Sequence, residues 1–346
     1  MRVSDVLKLP ADKLTDGEVG IEVEVEGRNL PKTDAKIWVM TRDGSLKADE
    51  AIEYVLARPM SREDAMKALK YLDSKYESVG STVDESIRAG VHVHVNVQSM
   101  NMCQLYTFIT LYLVFEHLLV RWCGPTREGN LFCLRASDAE YLLHRLGKAA
   151  RTRRFHEIFY DDDLRYASVN VKAVVEHGSL EFRSMRGTRD LKAVARWVAL
   201  LLNLRSASLS YPTPISVVED FSHLSSEVFV KKIFGADGYE EIFPKEDGAS
   251  LLFKGMRCAQ DVAYAVEDWA ALASLGSTNP FKKGEFTVCP DPLEFDGEKD
   301  LEVEASGPNV VPDPTWRTLT PAMMEANMGV MGAVRDIARA TVRDRF

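Results

Sequence analysis

Apolar and polar residues alternate strictly in three short segments of this chain. In "GIEVEVEG", Ile21, Val23 and Val25 share one parity and Glu22, Glu24 and Glu26 the other. In "AGVHVHVNVQS", four valines alternate with His92, His94 and Asn96. In "HGSLEFRSM", Leu180 and Phe182 alternate with Ser179, Glu181 and Arg183. A period of two predicts strands with one covered face, as in an antiparallel sheet. "EYVLA" at Glu53–Ala57 predicts a further short strand. "RYASVNVKAVVE" predicts a strand that turns onto the third segment through His177-Gly178, and "MTRDGSL" a hairpin turn through Asp43-Gly44.

The period changes between these segments. "SREDAMKALKYLDSKYES" has a capping serine at Ser61 and Asp64 three residues on, so it predicts a helix. "NMCQLYTFITLYLVFEHLLVRWCG" is apolar nearly all round and stops at Gly124, which predicts a helix buried on every side. Its apolar run is short for a membrane span and contains Glu116 and His117. "TRDLKAVARWVALLLNLRSASLS" predicts a third helix, and Thr320-Pro321 open a last one that closes the chain. The fold class expected is therefore α+β, a curved antiparallel sheet covered by helices.

The prolines of "SYPTPIS" mark the end of the clean alternation. They divide the chain into a domain of antiparallel sheet and helices at 1–212 and a helical region at 213–346, packed on the first or completing it. Within the second part, "CPDPLEFDGEKDLEVEASGPNVVPDPTW" reads as a long acidic loop or lid. No internal repeat is present.

Composition narrows the classes. A chain of 346 residues with 46% hydrophobic and 27% charged residues is an ordinary globular protein with a sizeable core. Its net charge of -9 argues against nucleic acid as a partner. Five scattered cysteines without a CxxC pair point to a reducing compartment, the cytoplasm. The N-terminus lacks an apolar signal core, and no membrane partner is expected.

The row of glutamates asks for an explanation. Same-face neighbours on a strand are about 6.5–7 Å apart, where like charges repel modestly in water and more in a dry site. A solvated outer face tolerates that repulsion, and a hard divalent cation reverses its sign. With three such strands in one sheet, the uncovered face gathers glutamates, histidines and an arginine, a set able to hold metal ions beside a polyanion. Each part also has a plain reading: His92 and His94 as half-buried residues, Glu181 and Arg183 as a local pair, Arg151–Glu157 as a solvated face, Asp161–Asp163 as a turn. The chain has no GxxxxGK[ST], strand-linked GxGxxG, GxSxG or HExxH, so ATP, if bound, uses other apparatus.

The ordered set "GIEVEVEG", "DGSL" with "EYVLARP", "GVHVHVNV", "RYASVN" and "GSLEFRSMRGT" resembles the amidoligase family of phages and bacteria. That family groups with glutamine synthetase and glutamate–cysteine ligase. The resemblance covers about Gly20 to Thr188. It implies an ATP-dependent carboxylate–amine ligase that uses Mg²⁺ or Mn²⁺ and joins a small-molecule or peptide carboxylate to an amine. Carried over residue by residue, it implies Glu22, Glu24, Glu53, His92 and Glu181 as metal ligands. His92, His94, Arg183 and Arg186 are implied for ATP phosphates, with Arg183, Glu181 and Glu22 central to catalysis. Arg165 and Asn170 are implied near substrate, where Asp43 and Ser45 of the turn are further candidates. Glu26 lies beyond the usual pair, as a third ligand or the mouth of the site. Two other readings stay open: a metal-dependent hydrolase built on His92, His94 and a glutamate, and a non-catalytic phage binding or structural protein that keeps the fold. The oligomeric state is left open.

Overall fold

A computed structural model describes residues 1–42, 46, 51–139 and 141–273. The turn residues Asp43 and Ser45, the acidic loop and the helix expected from Thr320 lie outside the described residues.

Among the described residues, seven strands form one open, antiparallel sheet: β1 (Val19–Arg28), β2 (Trp38–Thr41), β3 (Ala51–Leu56), β4 (Thr82–Val83), β5 (Gly90–Asn96), β6 (Val169–Asn170) and β7 (Ser179–Arg186). Their order is β2-β3-β1-β5-β7-β6, with β4 paired to the end of β1 at Gly27 and Arg28. The three alternating segments thus occupy three adjacent central strands. Their apolar parity supplies the core: Ile21, Val23, Val25, Val91, Val93, Val95, Leu180 and Phe182 are all buried.

Eleven helices are described: α1 (Val3–Val6), α2 (Arg62–Val79), α3 (Met102–Trp122), α4 (Leu142–Thr152), α5 (His156–Phe159), α6 (Ala173–His177), α7 (Leu191–Ser208), α8 (Pro214–His223), α9 (Ser226–Ile242), α10 (Gly248–Ala263) and α11 (Trp269–Ala273). Ser61 caps α2 by accepting from the Asp64 amide, and Gly80 ends it with φ +64°. Helices α2, α3 and α7 pack on the apolar face of the sheet. Phe108 and Tyr112 of α3 set their rings against Phe182 at 5.6 and 4.8 Å.

The all-round apolarity of α3 has a simple cause. One side meets the sheet and the other meets α8, α10 and α11. Among the described residues α3 alone is long and apolar enough to cross a membrane, and it is buried inside the fold instead. Helix α10 approaches it closely at Gly255, where a Cβ would stand 2.3 Å from the Val114 carbonyl oxygen. Each large apolar side chain that α3 buries contributes about 1.5–3 kcal/mol.

One element differs from expectation. "VNVKAVVEH" contributes two strand residues, Val169 and Asn170, and then turns into α6. The antiparallel pairing of β6 with β7 is as expected, but the connection is a helical turn ended by Gly178 at φ +70°. Val171 and Val174 bury as part of a helical turn rather than by strand alternation.

Candidate active site

The sheet register brings the polar parity of the strands together. Glu24 on β1 is the direct partner of Glu53 on β3, and Glu22 the partner of His92 on β5. His94 pairs with Glu181 on β7, and Glu181 in turn with Asn170 on β6. Five strands therefore place their functional side chains in one continuous patch.

His92 is its pivot. Its Nδ1 lies 3.3 Å from Glu22 Oε2 and 3.5 Å from Glu181 Oε1, and its Nε2 lies 3.8 Å from Glu24 Oε2. Glu22, His92 and Glu181 each offer one ligand atom, all within 4.8 Å of one another. Two carboxylate oxygens and one imidazole nitrogen at that spacing could hold a metal ion. The donor set fits a metal; Glu24 and Glu53 extend it on the β1–β3 side.

The neighbouring groups orient these ligands. Asn170 donates from Nδ2 to Glu181 Oε2 at 2.6 Å, while its own carbonyl is fixed by the Lys172 amide at 3.0 Å. The Gly90 amide donates to Glu24 Oε2 at 2.8 Å. Thr41, on the outermost strand of that side, hydrogen-bonds Glu53. His94 sits beside the cluster: Nε2 is 3.6 Å from Glu22 Oε1, Nδ1 is 3.1 Å from Ser179 Oγ, and its ring meets His177 edge-on at 5.2 Å.

Arg183 supplies the cation. It pairs with Glu181, approaches His92 Nδ1 at 3.5 Å and donates from Nε to the Phe132 carbonyl at 3.4 Å. It stands in an irregularity of β7. Val91 pairs with Met185 but Val93 pairs with Phe182, so Arg183 and Ser184 together oppose His92. A β-bulge of this kind re-aims a side chain.

Charge inside the cluster is self-consistent. Burial works to raise the Glu22 carboxyl, but hydrogen bonds with His92 and His94 outweigh it and hold the group well below the ordinary carboxylate range. Burial likewise opposes ionisation of Glu181, and Arg183 overcomes it and brings the pKa down. Burial and the Arg183 charge lower His92, which keeps that imidazole neutral and able to bind a cation. His94 is raised despite burial, by its contact with Glu22.

The sequence matches the family described as "putative amidoligase enzyme" over residues 32–205. The chain belongs to that family. No curated protein matches the sequence. The amidoligase match runs from just after β1 to α7 and includes His92, Asn170, Glu181 and Arg183 of the patch.

Two residues expected at the amidoligase site lie elsewhere in the contacts they make. Arg165 stacks on the Tyr166 ring at 4.7 Å and donates to its hydroxyl at 2.9 Å. Arg186 donates to the Cys123 carbonyl at the end of α3, 2.8 Å away. Arg165 lies in a 3-10 turn before β6 and Arg186 at the end of β7, and both satisfy local acceptors. The sequence pattern points to neither Thr41 nor Arg127, whose side chains border the patch. Arg127, just beyond α3, is 1% exposed and donates to the main chain of β7. A threonine at a strand end and an arginine after a Gly-Pro pair carry no sequence signal of a site.

Proposed function

We propose that this amidoligase is an ATP-dependent carboxylate–amine ligase that forms an amide or isopeptide bond through an acyl phosphate. The observation that carries the reading is the Glu22–His92–Glu181 triad beside Arg183 on a sheet face lined by two more glutamates. Such a face joins acidic groups that hold cations to a guanidinium suited to phosphoryl oxygens.

A carboxylate is a poor electrophile, and transfer of the γ-phosphoryl group converts it into one with a leaving group. The amine then forms the C–N bond, and phosphate leaves with the C–O bond pair. Bound at Glu22, His92 and Glu181, with Glu24 and Glu53 adjoining, a divalent ion would supply neutralisation of phosphate charge. Arg183 adds a fixed positive charge at the same oxygens. Its pairing with Glu181 keeps it aimed at the cluster before any ligand arrives. Glu22, held ionised by the two histidines, stays available as a ligand across the neutral range.

The hydrolase alternative would place His92 and His94 on one ion. The triad contains His92 alone, and His94 is engaged by Ser179 and His177, which favours the ligase. The test is ATP turnover with Mg²⁺ against pooled amino acids, peptides and polyamines, with hydroxylamine as surrogate amine. ADP, phosphate and hydroxamate are expected. A folded protein that neither binds nor turns over ATP under these conditions would sink the ligase reading.

A further inference from the structure

The β7 bulge leaves a question about its main chain. Where two residues oppose one, the ladder is broken and carbonyls lose their strand partner. The Arg183 and Ser184 carbonyls are both met by one side chain, Arg127. Its Nη2 donates to the Arg183 oxygen at 2.7 Å and its Nε to the Ser184 oxygen at 3.2 Å. Its Nη1 reaches the Ala89 oxygen at 3.4 Å, at the entry to β5. Arg127 is buried and makes no ion pair among the described residues. A buried guanidinium without a carboxylate is costly, so its placement on three carbonyls calls for a reason beyond packing the loop after α3.

We propose that Arg127 is the positioning residue for Arg183. A planar fork that holds two consecutive carbonyls fixes the backbone dihedrals between them. Those dihedrals set the direction in which the Arg183 side chain leaves the strand. The same guanidinium borders the metal ligands: a Cβ on Gly90 would lie 3.2 Å from both Arg127 Nη2 and His92 Nε2. Arg127 thus ties the bulge, the entry to β5 and the loop after α3 into one frame, and Arg183 reaches Glu181 and His92 from that frame. A lysine has one ammonium and lacks the fork, so it cannot fix both carbonyls in this way. The catalytic part of this inference rests on the ligase reading; its geometric part does not.

The test is a double-mutant cycle of Arg127→Met and Arg183→Ala in the full chain, read first as Mn²⁺ affinity and then as kcat and KM for ATP. If Arg127 acts through Arg183, Arg127→Met shifts the Mn²⁺ Kd at least threefold with Arg183 present and less than twofold in the Arg183→Ala background. The ATP readout should show at least a tenfold loss of kcat at little-changed KM in the first background only. Equal shifts in both backgrounds would mean that Arg127 merely supports the fold, and would overturn the proposal. Should Arg127→Met fail to fold, Arg127→Lys carries the same cycle. Wild-type protein that binds Mn²⁺ without ATP turnover removes the ligase reading, and the Mn²⁺ cycle then decides the role of Arg127 alone.

Discussion

His92 stands directly opposite Glu22 across the β1–β5 ladder, 3.3 Å from Nδ1 to Oε2, and its other nitrogen faces Glu24 at 3.8 Å. One imidazole therefore separates two carboxylates of the same strand, with Glu181 as a third neighbour at 3.5 Å. An ion bound by these ligands binds the folded patch and not the unfolded chain, so it should stabilise the fold. At a free Mn²⁺ concentration 100-fold above Kd the gain is about 2.7 kcal/mol. Calorimetric melts with and without Mn²⁺ should show the rise in wild type, and Glu22→Gln or Glu181→Gln should lose it along with metal-dependent turnover. A full rise in both variants would remove the metal assignment.

Arg183→Lys keeps the charge and should still lose most ATP turnover. The arginine divides its donors among Glu181, His92 and the Phe132 carbonyl. A single ammonium cannot hold this set and also face phosphoryl oxygens. Loss of comparable donors in active sites costs about 10²–10³ in kcat. Steady-state rates for the purified variant, with circular dichroism as a folding control, decide the matter. Near-wild-type rates would make Arg183 structural.

Asn170→Leu tests how far the neighbours of the ligands matter. The asparagine is held at its oxygen by the Lys172 amide, so its NH₂ can point only toward Glu181. Leucine keeps the volume and removes the donor. Loss of a group that orients a metal ligand typically costs about 10–100-fold in metal affinity. A Mn²⁺ titration of the variant should show that range, and a Kd within twofold of wild type would mean that Glu181 needs no such guide.

Much of this arrangement is legible in the amino-acid sequence because strand parity is a local property. The alternation of Val23 with Glu22 and Glu24, and of Phe182 with Glu181 and Arg183, gives both the covered face and the polar one. Register is not local. That Glu24 meets Glu53 and that Glu22 meets His92 depends on turns and helices between them. The β7 bulge leaves one trace in the sequence: Arg183 and Ser184 are two polar residues in a row, which moves the apolar parity from Phe182 to Met185. The contacts of Arg165 and Arg186 are likewise set by the fold rather than by the local pattern. An arginine near a site has several acceptors in reach, and the Tyr166 ring and the Cys123 carbonyl are the ones these two take. Arg127 could not be found at all, because main-chain carbonyls are the same in every sequence.

The last prediction concerns Glu116, a fully buried carboxyl on α3 beneath the β6–β7 side of the sheet. Both its oxygens accept from the Ala136 amide, at 2.9 and 3.0 Å, and Ser168 also bonds it. Ser168 and Ser184 share the Tyr112 hydroxyl at 3.2 Å each, so the network lies under Asn170 and Arg183. Burial, partly offset by the Ser168 and Ala136 hydrogen bonds, pushes its pKa up to about 7. The sign follows from proton counts. Between the ordinary 4.5 and about 7 the native state keeps a proton that the unfolded chain has released. The contribution of Glu116 to stability is therefore full below pH 4.5, falls as pH rises toward 7 and is flat beyond. The gap corresponds to about 3 kcal/mol. The adjacent His117, lowered to about 4 by burial and by the Arg135 charge, has the opposite slope, because the unfolded chain takes up a proton that the native one refuses. The two slopes overlap, so wild type alone hides them. Glu116→Gln removes one and leaves the other. Relative to wild type, the glutamine variant should gain about 3 kcal/mol between pH 4.5 and 8 in urea denaturation. A difference that stays constant across that range would mean that Glu116 is ionised in the native protein throughout, with the Ser168 and Ala136 hydrogen bonds outweighing burial.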